Sequence, residues 1–286
     1  MNNSKRDIIG NLQCNFKNVK YVDDDMVGVS DIGLVRKKQE DSILLLRHFL
    51  NEDFNLMAIA DGMGGLANGA RASNILLKSI IDWFEALSNK YYTDIFAVYN
   101  NLISNLNFFD EIVRKNAPGG GTTLALSIKG LSETLCFNIG DSRIYLYYDG
   151  HFKQISIDHS LSWDLYSTGF IKRKDDIRFH KKNNLICASF GDPRHRLTSS
   201  YDIISNDNYD NIMLFSDGIT DVIPDSEIEQ IVKHSPFEDI SDNIMDRCLG
   251  NEYYQNYLNL NEYYEKVCGG KDNSSIAIMR KRIRRD

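Results

Sequence analysis

Ile59-Ala60-Asp61-Gly62-Met63-Gly64-Gly65-Leu66-Ala67-Asn68-Gly69-Ala70-Arg71-Ala72-Ser73 is the stretch on which the fold turns. An apolar run, Phe54 to Ala60, reads as a strand and delivers one aspartate at its end. Glycines follow, and then Ala70, Ile75, Leu76, Ile80 and Trp83 fall near helical spacing, which predicts a helix over about 67–87. Glycine lets the backbone take unusual dihedrals and approach a ligand closely. Asp61 could therefore bind a metal through its carboxylate while the Gly62 carbonyl binds it through the main chain. The same letters also fit a plain turn with a helix cap, or a glycine-rich phosphate loop. The phosphate-loop reading is weak, because no Lys-Ser/Thr follows the glycines and no GxGxxG is present.

Working outward, the pattern of an aspartate beside an apolar strand recurs. Phe137-Asn138-Ile139-Gly140-Asp141-Ser142-Arg143 sets one between strands, and Ile212-Met213-Leu214-Phe215-Ser216-Asp217-Gly218 ends another apolar run in Asp-Gly. Gly269-Gly270-Lys271-Asp272-Asn273-Ser274-Ser275 leads into a last strand over 275–279. Nearer the start, Glu40 and Asp41 stand just before a strand over 42–46, after the charged turn Ser30 to Gln39. Further strands are expected over 26–30, 122–128, 134–139 and 143–148, and Asp149-Gly150 is a two-residue hairpin signal. Helices are expected over about 93–115, 161–167, 225–233 and 239–249. Strand hairpins in bulk with helices in pairs make the chain α+β, with sheets at the centre and helices outside.

A single Asp-Gly at a strand end is usually only a turn; four such aspartates, Asp61, Asp141, Asp217 and Asp272, are what a central sheet could converge on one site. Packed carboxylates repel, and some would stay protonated near neutral pH without a counter-charge. Hard divalent cations supply that charge, and an all-oxygen set favours Mg²⁺, Mn²⁺ or Ca²⁺ over zinc. Composition agrees. The 286 residues carry a formal charge of -7, which speaks against a nucleic-acid binder, although Arg280 to Arg285 form a basic tail. The five cysteines are scattered without CxxC spacing, so neither a disulfide framework nor a zinc site is expected. No apolar run reaches the ~18 residues of a membrane span, no secretory signal opens the chain, and a cytoplasmic protein is the simplest expectation.

In order and wording the motifs resemble the PPM family of metal-dependent protein phosphatases, the protein phosphatase 2C type, and particularly its bacterial members. The resemblance runs from about Met26 to Met279. It rests on Asp31-x-Gly33-x-x-Arg36 with Glu40-Asp41, Asp61-Gly62-Met63-Gly64-Gly65, Gly121-Thr122-Thr123 and Gly140-Asp141-Ser142-Arg143. Asp158-His159-Ser160, Ser216-Asp217-Gly218 and Asp272-Asn273 complete the set.

The resemblance implies a four-layer αββα sandwich, two antiparallel sheets flanked by helix pairs, in a single domain over 1–286. It also implies a flap segment over 158–192; residues 1–20 are expected as an N-terminal extension and 252–265 as an insertion. Two Mn²⁺ or Mg²⁺ ions are implied, with a third, weaker one. Asp61 is expected to bridge two of them, with Glu40 and the Gly62 carbonyl on one and Asp41 held nearby through water. Asp217 and Asp272 complete the other, and Asp141 belongs to the third. Arg36 lies where the family binds the substrate phosphate, a task for which its planar fork suits two oxygens at once. His159 and His180 are assigned to the flap rather than to acid catalysis. Met63 stands where animal relatives have a histidine thought to act as acid, which leaves the proton donor open, and Gln39 replaces a frequent Asn. The implied activity is hydrolysis of phosphoserine and phosphothreonine in proteins by a metal-bridging hydroxide. The implied partners are phosphoprotein substrates and an opposing serine/threonine kinase, and the expected state is monomeric. An inactive pseudophosphatase serving as a binding module and a small-metabolite phosphatase are the competing readings.

Overall fold

The computed structural model describes residues 19–63, 68–179, 185–250 and 270–281. In chain order the strands begin with β1 (Val19–Val22), β2 (Met26–Asp31), β3 (Ser42–His48), β4 (Asn51–Ala60) and the short β5 (Gly62–Met63). Helices α1 (Gly69–Glu85) and α2 (Ile95–Asn116) follow, then β6 (Gly121–Thr122), β7 (Leu124–Lys129), β8 (Glu133–Ile139), β9 (Arg143–Tyr148) and β10 (His151–Gln154). Beyond α3 (Leu161–Ser167) come β11 (Ser200–Ser205), β12 (Asn211–Phe215), α4 (Asp217–Thr220), α5 (Asp225–His234), α6 (Ile240–Cys248) and β13 (Ser274–Arg280).

These strands form two antiparallel sheets. One runs β1-β2-β13-β12-β9-β10, the other β11-β8-β7-β4-β3, and β5 and β6 make a separate two-stranded ribbon. The central strands are apolar at nearly every position because both of their faces are buried. Along β4, Leu56, Ala58 and Ala60 face a cluster shared with α1 and α2, while Met57 and Ile59 face the other sheet. Along β12, Met213 and Phe215 pack toward α5 and α6, while Ile212 and Leu214 join the cluster between the sheets. The period of two thus divides each run between an outer, helix-covered face and an inner, sheet-covered one. Truncating a fully buried member such as Phe215 to Ala should cost ~3–5 kcal/mol.

The helices follow from the complementary period. On α2, Val98, Leu102, Leu106, Phe109 and Val113 are buried at steps of three and four. The Asp94 side chain accepts the Ala97 amide and caps its start. Trp83 of α1 donates its indole N–H to Asn101 of α2 at 2.7 Å, so the large ring is buried without orphaning its polar atom.

Several expectations change in detail. The strand read over 122–128 is two, since β6 ends at Thr122 and β7 starts at Leu124, with Thr123 between them turned to a different task described below. Asp217-Gly218 opens a one-turn helix rather than a simple turn. Val19 and Lys20, placed in an N-terminal extension, are paired to Ser30 and Val29 in β1. The Asp149-Gly150 hairpin is present with both residues at positive φ, 48° and 78°. The 252–265 insertion, His180 and residues 1–18 lie outside the described residues, as do Gly64 to Ala67.

Candidate metal centre and active site

All the candidate carboxylates are delivered to one end of the two sheets. Asp61 follows Ala60, which is paired with Ser42, and Glu40 and Asp41 immediately precede Ser42. In the other sheet Phe215, just before Ser216 and Asp217, pairs with both Arg143 and Ile276. Asp272 and Asn273 precede Ser274, which lies opposite Asp31. Asp141 occupies the bend between β8 and β9. The two sheet ends are stitched together directly, for the Ser275 hydroxyl donates to Asp41 Oδ2 at 2.7 Å.

The backbone around Asp61 explains the glycines. The Gly62 amide donates to the Glu40 carbonyl at 3.1 Å. A Cβ on Gly62 would stand 2.3 Å from the Gly69 carbonyl oxygen and 2.5 Å from that of Glu40, so no larger residue fits. The Asp61 amide donates to Thr123 Oγ1 at 3.0 Å, and Thr123 Oγ1 shares a 2.8 Å hydrogen bond with Ser142. Asp61 and its neighbour Asp141 are thereby joined through two small hydroxyls. Gln39 does not point among the carboxylates; its amide nitrogen donates to Ser30 and its oxygen accepts the Asp41 amide.

The electrostatics are those of crowded anions. Burial first, then the charges of Asp217, Asp41, Asp141 and Asp272, push Asp61 well above the ordinary carboxylate value. Asp141 is pushed up in the same way by burial and by Asp217, Asp158 and Asp221. Burial raises Asp217 to about 6, helped by Asp272, and raises Asp41 to about 7 despite its bond from Ser275. Glu40 is raised as well, burial outweighing the nearby Arg36. Asp61 and Asp217 keep some surface open to solvent, yet protein surrounds them on most sides, and the two are hydrogen-bonded to each other. Carboxylates so placed must share protons or acquire cations.

Among the described residues, no three His, Cys, Asp or Glu side chains close into a ready ligand set. Contacts within the cluster hold its members instead: Asp61 to Asp217, Asp41 to Ser275, and Asp272 to Arg36, whose Nη2 donates at 2.6 Å. The donors still suit a hard divalent cation. They are all oxygen, their repulsion is what a cation relieves, and Asp141 Oδ1 is buried with no hydrogen-bond partner.

Arg36 is exposed at the mouth of the cluster, its pKa raised by the Asp272 hydrogen bond. The His159 ring accepts the Gly140 amide at 3.1 Å, which ties the start of the 158–192 segment to the bend carrying Asp141. Burial lowers its pKa. Asp158, part of a motif but given no role from sequence, takes two 2.8 Å bonds from Arg143 and one of 2.7 Å from Gln154. Thr123, Ser142, Ser216, Ser275 and Asn273 also support the cluster. Ser142, Ser216, Ser275 and Asn273 were marked by their place close to the aspartates at strand ends, and Thr123 by the Gly121-Thr122-Thr123 motif.

Two antiparallel sheets with several helices are the architecture shared with solved bacterial serine phosphatases. The family model described as "Protein phosphatase 2C" matches residues 38–260. The serine/threonine phosphatase stp of Listeria monocytogenes (serotype 4b, strain F2365) is 30% identical over 210 residues, covering 71% of this chain and 81% of that protein. The protein phosphatase PhpP of Streptococcus pneumoniae (serotype 2, strain D39) is 28% identical over 212 residues, covering 71% and 82%. A solved structure of a bacterial serine phosphatase superposes with a TM-score of 0.74 at 26% identity, covering 91% of this chain and 99% of that one. The chain belongs to the protein phosphatase 2C family, the class of serine/threonine protein phosphatase expected from its motifs. The family match begins at residue 38 and ends at residue 260. No helix among the described residues is long and apolar enough to cross a membrane.

Proposed function

We propose that this chain hydrolyses phosphoserine and phosphothreonine in proteins, with Mn²⁺ or Mg²⁺ held by the carboxylate cluster. The observation that carries the reading is the gathering of Glu40, Asp41, Asp61, Asp141, Asp217 and Asp272 at one end of two sheets, with five of them held above their ordinary values by burial and repulsion. In this reading Asp61, Glu40, the Gly62 carbonyl, Asp217 and Asp272 would hold two ions, Asp41 would act through water, and Asp141 would hold a third, weaker ion. Bound there, the ions would activate water and neutralise the charge of an in-line displacement.

The remaining work falls to the chain itself. Phosphate monoesters resist hydrolysis so strongly that catalysed enhancements reach ~10²¹-fold, most of it from positioning and charge. Arg36, exposed and donating to Asp272, is the residue that grips two phosphate oxygens in this reading. Thr123 fixes the backbone of Asp61, and Ser275 fixes the Asp41 carboxylate. The four-layer αββα arrangement, a single domain and a flap over 158–192 belong to the same reading. The three apolar clusters, one between the sheets and one under each set of helices, support it.

The test is phosphate release from a phosphothreonine peptide and from p-nitrophenyl phosphate with Mn²⁺, Mg²⁺ or EDTA. Metal-dependent release from the peptide is expected. Turnover of small phosphate esters without the peptide would favour a metabolite phosphatase. No turnover from a folded, Mn²⁺-binding protein would favour a pseudophosphatase.

A further inference from the structure

We infer that Asn273 is the positioning residue of the Arg36 loop, setting the guanidinium over the carboxylate cluster without touching substrate itself. The inference rests on the reading of Arg36 as the phosphate-binding residue. Arg36 stands in an exposed loop between β2 and β3, flanked by Leu34 and Val35, which are 64% and 65% exposed. Local contacts steady its two ends, where Asp31 Oδ1 accepts the Gly33 amide at 2.6 Å and Gln39 reaches Ser30 and the Asp41 amide. Both of its ends also converge on one side chain.

Asn273 is 3% exposed. Its Nδ2 donates to the Ile32 carbonyl at 2.9 Å and to the Lys38 carbonyl at 3.0 Å. Its Oδ1 accepts the Glu40 amide at 2.8 Å. Two carbonyls and one N–H fix which end of the amide is nitrogen, and both of its N–H groups are used. The side chain thus closes the 32–40 loop like a clasp and holds it against the segment that carries Asp272.

Further contacts press the loop to the same place. The Leu34 amide donates to the Gly270 carbonyl at 2.7 Å. Gly33 has φ of +78°, and a Cβ there would lie 2.2 Å from the Asp272 carbonyl oxygen. With the loop seated, Arg36 reaches Asp272 Oδ2. A phosphate held by Arg36 would then sit at the edge of the carboxylate cluster, and a loop lifted off this seat would carry the guanidinium away from it.

Asn273→Asp keeps the size of the side chain and the acceptor for the Glu40 amide, but turns its two donors into an oxygen facing two carbonyls. Steady-state kinetics with Mn²⁺ on p-nitrophenyl phosphate and a phosphothreonine peptide compare wild type, Arg36→Ala, Asn273→Asp and the double variant. The expected result is a KM raised about tenfold in Asn273→Asp, the factor of one lost hydrogen bond of ordinary worth, with kcat within about threefold. The double variant should be no worse than Arg36→Ala alone, because the clasp acts through the arginine. Gly33→Ala, which lifts the same loop from its other contact, should give the same KM signature and decides the matter if Asn273→Asp does not fold. A lowered melting temperature with unchanged KM, or effects that multiply in the double variant, would overturn the positioning role. If Arg36→Ala alone leaves KM unchanged, what fails is the reading of Arg36 on which the inference stands.

Discussion

Asp61 and Thr123 are tied by two reciprocal hydrogen bonds. The Thr123 amide donates to the Asp61 carbonyl at 2.9 Å, and the Asp61 amide donates to Thr123 Oγ1 at 3.0 Å. This pairing is why the expected strand over 122–128 breaks at Thr123. Thr123→Val keeps the volume but leaves the Asp61 amide and the Ser142 hydroxyl without that partner. We expect a loss of ~1–3 kcal/mol in urea unfolding, and a fall in kcat of roughly 10- to 100-fold from a displaced Asp61.

Removing a crowded carboxylate should stabilise the metal-free protein. Asp61→Asn takes away the repulsion from Asp217, Asp41, Asp141 and Asp272 and can still hydrogen-bond to Asp217. In EDTA the variant should be more stable than wild type by about 1–2 kcal/mol, a trade of stability against function. Mn²⁺ should raise the melting temperature of wild type through linkage and leave the variant nearly unmoved. Equal shifts in both proteins would count against Asp61 as a ligand.

The Arg143–Asp158 pair is a buried strut beside the cluster, with side chains only 8% and 2% exposed. Asp158→Ala should cost ~3–5 kcal/mol, because it strands a guanidinium away from water. Replacing both partners by Met and Leu should recover much of the loss. Urea denaturation of the two variants beside wild type measures this, and equal losses for the single and double variants would contradict it.

Acid sensitivity should pass through Asp225. Burial acts to raise its pKa, but the Lys174 ammonium, the Tyr145 hydroxyl and Arg143 together hold it below the ordinary 3.8. A folded value below the unfolded one contributes stability above pH ~4, which is lost as pH falls through the folded value. On Lys174 the balance is opposite, burial outweighing the same pair, and its pKa is lowered. That effect belongs to the alkaline limb and is constant through the acid range. Asp225→Asn should therefore be less stable than wild type at pH 7, and the gap should narrow below pH ~4 in urea titrations.

Asp61 and Asp217 were legible because each closes an apolar strand buried on both faces, whereas Asp141 and Asp272 are set off from their strands by glycine or polar residues and were marked by the recurrence of the pattern. The long helices were legible for the same reason at their own period. The supporting shell was not. Ser275 reaches Asp41 across 234 positions of chain, and Arg36 reaches Asp272 across 236, pairings that exist only once both sheets have formed. β11 escaped because it is a sheet edge, with Tyr201 half exposed and no residue of the strand fully buried, so no apolar period marks it. β1, also an edge, is four residues long and similarly unmarked.

The most direct test of the carboxylate cluster as a catalytic metal centre is the initial rate of phosphothreonine-peptide hydrolysis across a Mn²⁺ titration, for wild type beside Asp217→Asn. A rate that saturates with Mn²⁺, vanishes in EDTA and is nearly absent in Asp217→Asn at every concentration is the expected result. Hydrolysis that survives EDTA, or that Asp217→Asn matches at equal Mn²⁺, would contradict it.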